Sequence, residues 1–344
     1  MNKQHKLHWF LGIAAGAATT TALVVITQRQ RTKRLALAAS VNAITQRAIA
    51  RLDVPAESRF VEINGLRFHT VQAGPEEGPL AILLHGFPEC WHSWHKQIGP
   101  LVRAGYRVVV PDQRGYNLSD KPLGIANYQI DRLTSDVGGL IHALGRERAV
   151  IIAHDWGGGV AWRFAMDYPE MVEKLVVMNA PHPIAFAREL KGNRSQRAKS
   201  WYMFFFQVPR LPEALLTFAP LDNARSAFQR TTLRAGAFAE DDLQILASAW
   251  SQPRAMQCMI HWYRAAFRFR PAEHNRVINA PTLLLWAEDD FALGKSLTVG
   301  LGQWAPNLTL RTISGCGHWV QNEAPDEVNA QLLAFLRARP TTLS

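Results

Sequence analysis

The chain has 344 residues, 48% of them hydrophobic and 19% charged, with a formal net charge of +10. This apolar fraction excludes a disordered chain, and 23 Gly and 19 Pro without a period exclude collagen-like or low-complexity architecture. Three cysteines (Cys90, Cys258, Cys316) cannot build a disulfide framework, and the length suits one large domain with an insertion, or two domains.

The positive charge is concentrated at the start of the chain. Eight of the 38 Lys and Arg lie within residues 1–51 (Lys3, Lys6, Arg29, Arg31, Lys33, Arg34, Arg47 and Arg51), and the first acidic residue is Asp53. That leaves 30 basic against 28 acidic residues for the rest, so the near-neutral body gives no support for nucleic acid as a partner. Between Lys6 and Arg29 the 22 residues 7–28 carry no fixed charge. As a helix they would measure about 33 Å, enough to cross roughly 30 Å of hydrocarbon, with Trp9 at one interface. The favoured reading is a retained single-pass anchor over 1–34, with the lipid bilayer as a partner. It is preferred to a cleaved signal peptide or a membrane-surface helix. Arg29, Arg31, Lys33 and Arg34 outweigh Lys3 and Lys6, which places the body on the cytoplasmic side of the membrane. The sequons beginning at Asn117, Asn193 and Asn307 are short enough to arise by chance and do not argue otherwise. Residues 35–58 read as a helical linker, amphipathic over 35–51.

From residue 59 short apolar runs alternate with helical stretches. The expected strands are 59–63, 67–72, 81–84, 107–110, 150–154, 175–178, 282–286 and 309–313. The first two are joined at Asn64-Gly65 as a hairpin. Helices are expected near 92–103, 128–144, 157–168, 295–302 and 325–338. Continuously apolar strands separated by helices are the pattern of a buried, mostly parallel sheet. The alternation breaks over 181–278, which is helical in character, including WYMFFFQ at 201–207. The fold expected is α/β, with core segments 59–180 and 279–344 and a helical cap (181–278) inserted after the sixth strand. In such sheets the site lies beyond the carboxyl ends of the strands, where a cap would close it from water.

Four strand ends carry the chemistry. After 150–153 comes Ala153-His154-Asp155-Trp156-Gly157-Gly158, the strand–turn–helix setting of a nucleophile elbow with small residues on both sides. The exposed middle residue is Asp155, so the plainer alternative is an Asp that merely caps the next helix. A carboxylate nucleophile attacks an sp³ carbon and forms an ester. Water must then attack that ester, which requires a general base and an oxyanion hole. The sequence His85-Gly86-Phe87-Pro88-Glu89 follows 81–84, so the backbone N–H groups of Phe87 and Trp156 are the candidate hole. The candidate base is His318, glycine-flanked after the last strand. Its orienting acid lies in Glu288-Asp289-Asp290-Phe291, where spacing alone does not separate Asp289 from Asp290. His154 reads as structural.

Together HGFPE (85–89), PDQRGYNLSD (111–120), HDWGG (154–158), EDDF (288–291) and GHW (317–319) resemble the epoxide hydrolase family of the α/β-hydrolase fold, over residues 59–338. The resemblance implies that Asp290 is the acid and that two cap tyrosines, Tyr202 and Tyr263, donate protons to the epoxide oxygen. It implies conversion of a small apolar epoxide, with water, to a vicinal diol; no metal-ligand spacing or phosphate-binding glycine loop stands out in the sequence, so no metal and no cofactor are expected. Ala153 stands where Gly is frequent in the family, and Asn117 where RGYG is common. The nearest rival is a dehalogenase, but Phe87 and Trp156 replace the Asn and the Arg that such enzymes use. A non-catalytic binding protein of the same fold is disfavoured because Asp155, Asp290 and His318 are all present.

Overall fold

The computed structural model describes residues 42–270 and 277–338. Eight strands form one sheet: β1 (Ala56–Ile63), β2 (Leu66–Ala73), β3 (Leu80–Leu84), β4 (Arg107–Pro111), β5 (Ala149–His154), β6 (Val172–Met178), β7 (Thr282–Ala287) and β8 (Leu308–Ile313). Their order is β1-β2-β4-β3-β5-β6-β7-β8. β2 is antiparallel to both its neighbours, and every other pair is parallel. The hairpin turns at Asn64 and Gly65, both with positive φ (53° and 73°), as a two-residue turn between right-twisted strands demands. β3, β5 and β7 are buried along their whole length, so LAILL, AVIIAH and TLLLWA are apolar on both faces.

Helices His95–Arg103, Ile130–Ala143, Asp155–Asp167 and Pro325–Arg337 belong to the α/β core. Asp155–Asp167 packs very closely. A Cβ added at Gly158 would lie 2.3 Å from the Cβ of Ala180, and the Trp162 indole donates to the Ala180 carbonyl at 3.0 Å. The chain passes from β3 to β4 on one side and returns to β5 on the other, so the topological switch lies at the β3–β5 pair.

Between β6 and β7 lie the cap helices Pro183–Gly192, Arg194–Lys199, Trp201–Phe205, Leu211–Phe218, Pro220–Phe228, Glu240–Trp250 and Ala255–Arg268. The short helix Arg194–Lys199 starts where Asn193 accepts from the Ser195 and Gln196 N–H groups at 2.9 and 3.3 Å. Two buried indoles pin the cap to the core: Trp262 donates to the Arg114 carbonyl (3.1 Å) and Trp250 to the Pro88 carbonyl.

Two expectations need correction. Residues 295–302 are not one helix. They form two single 3₁₀ turns, Lys295–Thr298 and Leu301–Gln303, separated by Gly300 at φ 73° in the left-handed region. The anchor expected over 7–28 lies outside the described residues, as does the amphipathic stretch before residue 42. Residues 42–49 are helical. Among the described residues no helix is long and apolar enough to cross a membrane. The expected single-pass location with a cytoplasm-facing body, and the bilayer as a partner, are therefore corrected: no span is found to carry them.

Candidate active site

The carboxyl ends of β3, β5, β6, β7 and β8 converge on one point. Asp155 follows β5 directly and opens the helix Asp155–Asp167 with φ 47°. A non-glycine residue held there costs on the order of 1–3 kcal/mol, comparable to burying one or two Leu or Ile side chains at about 1.5–3 kcal/mol each. The surrounding core sustains it because the neighbours are small. A Cβ on Gly157 would lie 2.3 Å from the Leu84 carbonyl oxygen, and one on Gly86 would lie 2.5 Å from the Cβ of Asp155. Both glycines let the β3 loop and the β5 turn touch backbone to backbone, which aims the Asp155 carboxylate outward.

The two carboxylate oxygens of Asp155 have different environments. Oδ1 accepts from the backbone N–H of Phe87 at 2.8 Å, while Oδ2 faces Nε2 of His318 at 3.6 Å. Trp156 contributes one of the N–H groups of the helix's first turn, which have no partner within the helix. His318 Nδ1 lies 2.7 Å from Oδ2 of Asp290 and, donating there, leaves Nε2 toward Asp155. Asp290 is buried and held from three more sides, by the Asn179 amide (2.7 Å) and the N–H groups of Ala292 (2.7 Å) and Leu293 (2.9 Å). Asp289 is exposed. Geometry therefore separates the two acids that spacing left open.

The electrostatics follow from these contacts. Burial alone lowers the His318 pKa, but the Asp290 and Asp155 carboxylates outweigh it and raise the imidazole well above its ordinary value. Burial alone raises the carboxyls, yet for Asp155 the hydrogen bond and charge of His318 prevail, and both Asp155 and Asp290 sit below the ordinary carboxylate value.

A second buried network supports the first. Glu89 accepts from the Gly86 N–H (3.1 Å), the Gln321 amide (3.1 Å) and the Ser93 hydroxyl, and pairs with His154 Nδ1 at 3.0 Å. His154 Nε2 in turn meets the His318 carbonyl at 2.9 Å. His154 thus ties the loop carrying Phe87 to the loop carrying His318. Gln113 ties the same loop to the motif at 111–120: its N–H reaches His85 Nε2 at 3.1 Å and its amide the His85 carbonyl at 2.6 Å. Asn117 adopts φ 37°, as glycine would, and its amide donates to Asp112 at 2.8 Å. Asp112 also pairs with His69 at 2.6 Å and accepts from the Trp91 N–H at 2.9 Å.

The cap brings both expected tyrosines over this point. Tyr263, on Ala255–Arg268, packs edge-on against Phe87 (5.1 Å between ring centroids) and Trp156 (5.0 Å). Tyr202, on Trp201–Phe205, lies 5.9 Å from Tyr263. Burial, then the Asp155 charge, then that of Asp290 raises the Tyr202 phenol. For Tyr263, burial, Tyr202 and Asp155 raise it well above the ordinary value, against a smaller opposing hydrogen bond with Trp156. Burial and these charges therefore favour the protonated form of both phenols. The site so assembled has one anionic oxygen beside an imidazole, one in a backbone N–H pocket, and two protonated phenols on the cap side.

Asn179, Ser93 and Gln321 carry no local signal that marks them as part of the site, and Glu89 is marked only by its place in HGFPE. These residues and Glu89 act through partners between 3 and 232 residues away.

Residues 79–325 match the family model for the alpha/beta hydrolase fold. The chain is 42% identical over 282 residues to the AB hydrolase superfamily protein YfhM of Bacillus subtilis, covering 81% of this chain and 97% of that protein. It is 38% identical to Epoxide hydrolase 1 of Caenorhabditis elegans, covering 81% of this chain and 70% of that one. A crystal structure of the Bacillus megaterium epoxide hydrolase with an inhibitor superposes with a TM-score of 0.75 at 32% identity, over 81% of this chain and all of that one.

Proposed function

As a member of the α/β-hydrolase family, and within it of the epoxide hydrolases, this chain hydrolyses epoxides, and we propose that it does so through a covalent ester on Asp155. The observation that carries this reading is the unequal placing of the two Asp155 oxygens: Oδ1 takes the Phe87 N–H, and Oδ2 faces His318.

Oδ2 attacks an epoxide carbon as the ring C–O bond breaks. One phenol of the Tyr202–Tyr263 pair gives its proton to the oxygen while the other holds it by a hydrogen bond. Ester formation removes the Asp155 charge, one of the two that hold a proton on His318. The imidazole then releases that proton more readily, restoring the phenol. Neutral His318, aligned by Asp290, takes a proton from water, whose oxygen attacks Cγ. The oxyanion develops on Oδ1, already in the pocket of the Phe87 and Trp156 N–H groups. Collapse breaks the bond to Oδ2 and releases a vicinal diol, which takes the second proton of the water. Phe206 packs against Phe87 and Tyr263, and Trp262 against Trp156, an aromatic surround that suits an apolar epoxide such as a lipid or aryl epoxide.

A single turnover in ¹⁸O-water tests the path. The first diol is expected to leave with an unlabelled oxygen from Asp155, and the label is expected in the Asp155 carboxylate by peptide mass. Label appearing directly in the first diol would sink the covalent step.

The phenols have a separate test. Tyr202→Phe and Tyr263→Phe are each expected to slow alkylation by about 10²-fold and the double variant by more, since a positioned acid contributes roughly 10²–10⁴-fold. Stopped-flow alkylation rates read this directly. A double variant within about threefold of the parent would remove the phenols from the mechanism.

A further inference from the structure

Outside the catalytic residues, three metal-ligating side chains meet across the seam between core and cap. His92 lies in the 3₁₀ turn Trp91–Trp94, His95 opens the helix His95–Arg103, and Asp242 is the third residue of the cap helix Glu240–Trp250. One ligand atom from each lies within 4.8 Å of the others, the one such group among the described residues. His92 Nε2 stands 2.7 Å from Oδ1 of Asp242, and His95 Nε2 stands 4.0 Å from the same oxygen. The imidazoles are stacked, with centroids 4.3 Å apart and planes 3° from parallel.

We propose that His92, His95 and Asp242 form a divalent transition-metal site, most suited to Zn²⁺, that clasps the cap to the core.

The surroundings set each ligand. His95 Nδ1 lies 2.8 Å from the His92 carbonyl oxygen and must donate there, so in the neutral ring the lone pair is on Nε2, the atom facing Asp242. A backbone carbonyl on the far nitrogen is the usual support of a metal-bound imidazole. Asp242 is oriented by its other oxygen, Oδ2, which accepts the Ala239 N–H at 2.8 Å and leaves Oδ1 for the two histidines. The neighbouring Lys96 turns its ammonium to the carbonyls of Ala237 (2.8 Å) and Asn322 (3.0 Å).

The distances are close to those of a loaded site. A tetrahedral ion with bonds of about 2.0–2.2 Å sets its ligand atoms about 3.4 Å apart. The His92 contact must lengthen and the His95 contact shorten, each by about 0.6–0.7 Å, with both rings turning about χ2 so that Nε2 points at the ion. Two histidines and a carboxylate leave one position for water, and the donor set suits Zn²⁺ rather than Mg²⁺ or Ca²⁺. The ligands come from segments 150 residues apart, so an ion here would resist separation of the cap from the core.

The test uses the full chain stripped with chelator, then titrated with Co²⁺ as a spectroscopic probe and with Zn²⁺ in thermal melts. One Co²⁺ per chain is expected to give visible d–d absorption, and saturating Zn²⁺ to raise Tm by about 5 °C or more. His95→Gln and Asp242→Asn are each expected to weaken binding by roughly 100-fold or more and to abolish the Zn²⁺-dependent rise. Both variants keep epoxide hydrolysis, because neither residue belongs to the reacting groups. If Asp242→Asn fails to fold, His95→Gln decides alone. Retention of the bands and the Tm rise in either folded variant, or no binding by the parent chain at about ten equivalents of ion, overturns the site.

Discussion

Replacing Asp155 with Asn is expected to abolish turnover, lowering kcat by about 10⁴-fold or more, which corresponds to roughly 5.5 kcal/mol of lost transition-state stabilisation. The substitution keeps the shape of the side chain and an oxygen to accept the Phe87 N–H, so the elbow at φ 47° has no steric reason to collapse. What disappears is the anionic oxygen facing His318 at 3.6 Å. An amide does not displace an epoxide oxygen at a useful rate, and no other carboxylate occupies that point: Asp290 is buried behind the imidazole and held by four hydrogen bonds. The measurement is diol formation beside a melt that shows the fold intact. A folded variant retaining about a tenth of parental activity would show that Asp155 is not the nucleophile.

His318→Gln is expected to split the reaction in two. On the proposed mechanism alkylation needs only Asp155, the hole and the phenols, and should fall by no more than about tenfold, whereas ester hydrolysis loses its base and should slow by about 10³-fold or more. The chain then accumulates as an adduct heavier by the mass of the epoxide, visible in the intact protein and localised to the peptide holding Asp155. The pH dependence of the first step should shift as well. His318 is what holds the Asp155 carboxyl below its ordinary value against the cost of burial. Without it the carboxyl is protonated at higher pH. Alkylation requires the anion, so its loss on acidification should begin at higher pH than in the parent. An adduct that never forms, in a variant that still binds epoxide, would contradict the assignment of His318 to the second step alone.

Much of this arrangement is legible in the sequence, for identifiable reasons. The strands β3, β5 and β7 read clearly because burial on both faces makes them uninterrupted apolar runs. Asp155 and Gly157 were legible because a sharp strand-to-helix turn tolerates only small neighbours, a rule the 2.3 Å approach to Leu84 illustrates. Asp289 and Asp290 are adjacent and chemically identical, and only burial against Asn179 and the Ala292 and Leu293 N–H groups tells them apart. Asn179, Ser93 and Gln321 carry no such mark, because hydrogen bonds formed across the fold leave no period in the chain. The stretch 295–302 misled because its apolar spacing is helical, while Gly300 in the left-handed region divides it. The charge-free run at 7–28 suggests a span by its length and missing charge, but it lies outside the described residues, among which no helix is long and apolar enough to cross a membrane.

The way the cap enters the sheet bears on how such a catalyst changes over time. β6 and β7 are hydrogen-bonded neighbours, with Met178 opposite Leu285, and the whole cap leaves and returns between them. On the proposed assignment the attacking carboxylate, its water-activating pair and the anion pocket reside on the scaffold, while both proton donors reside on the excursion. The two halves of the reaction are therefore separately heritable. A change confined to the excursion can retune which electrophile is accepted, or swap an epoxide for a group that departs unaided, while the scaffold's ester chemistry passes on unaltered. Lineages sharing this scaffold are free to diversify in substrate faster than in mechanism.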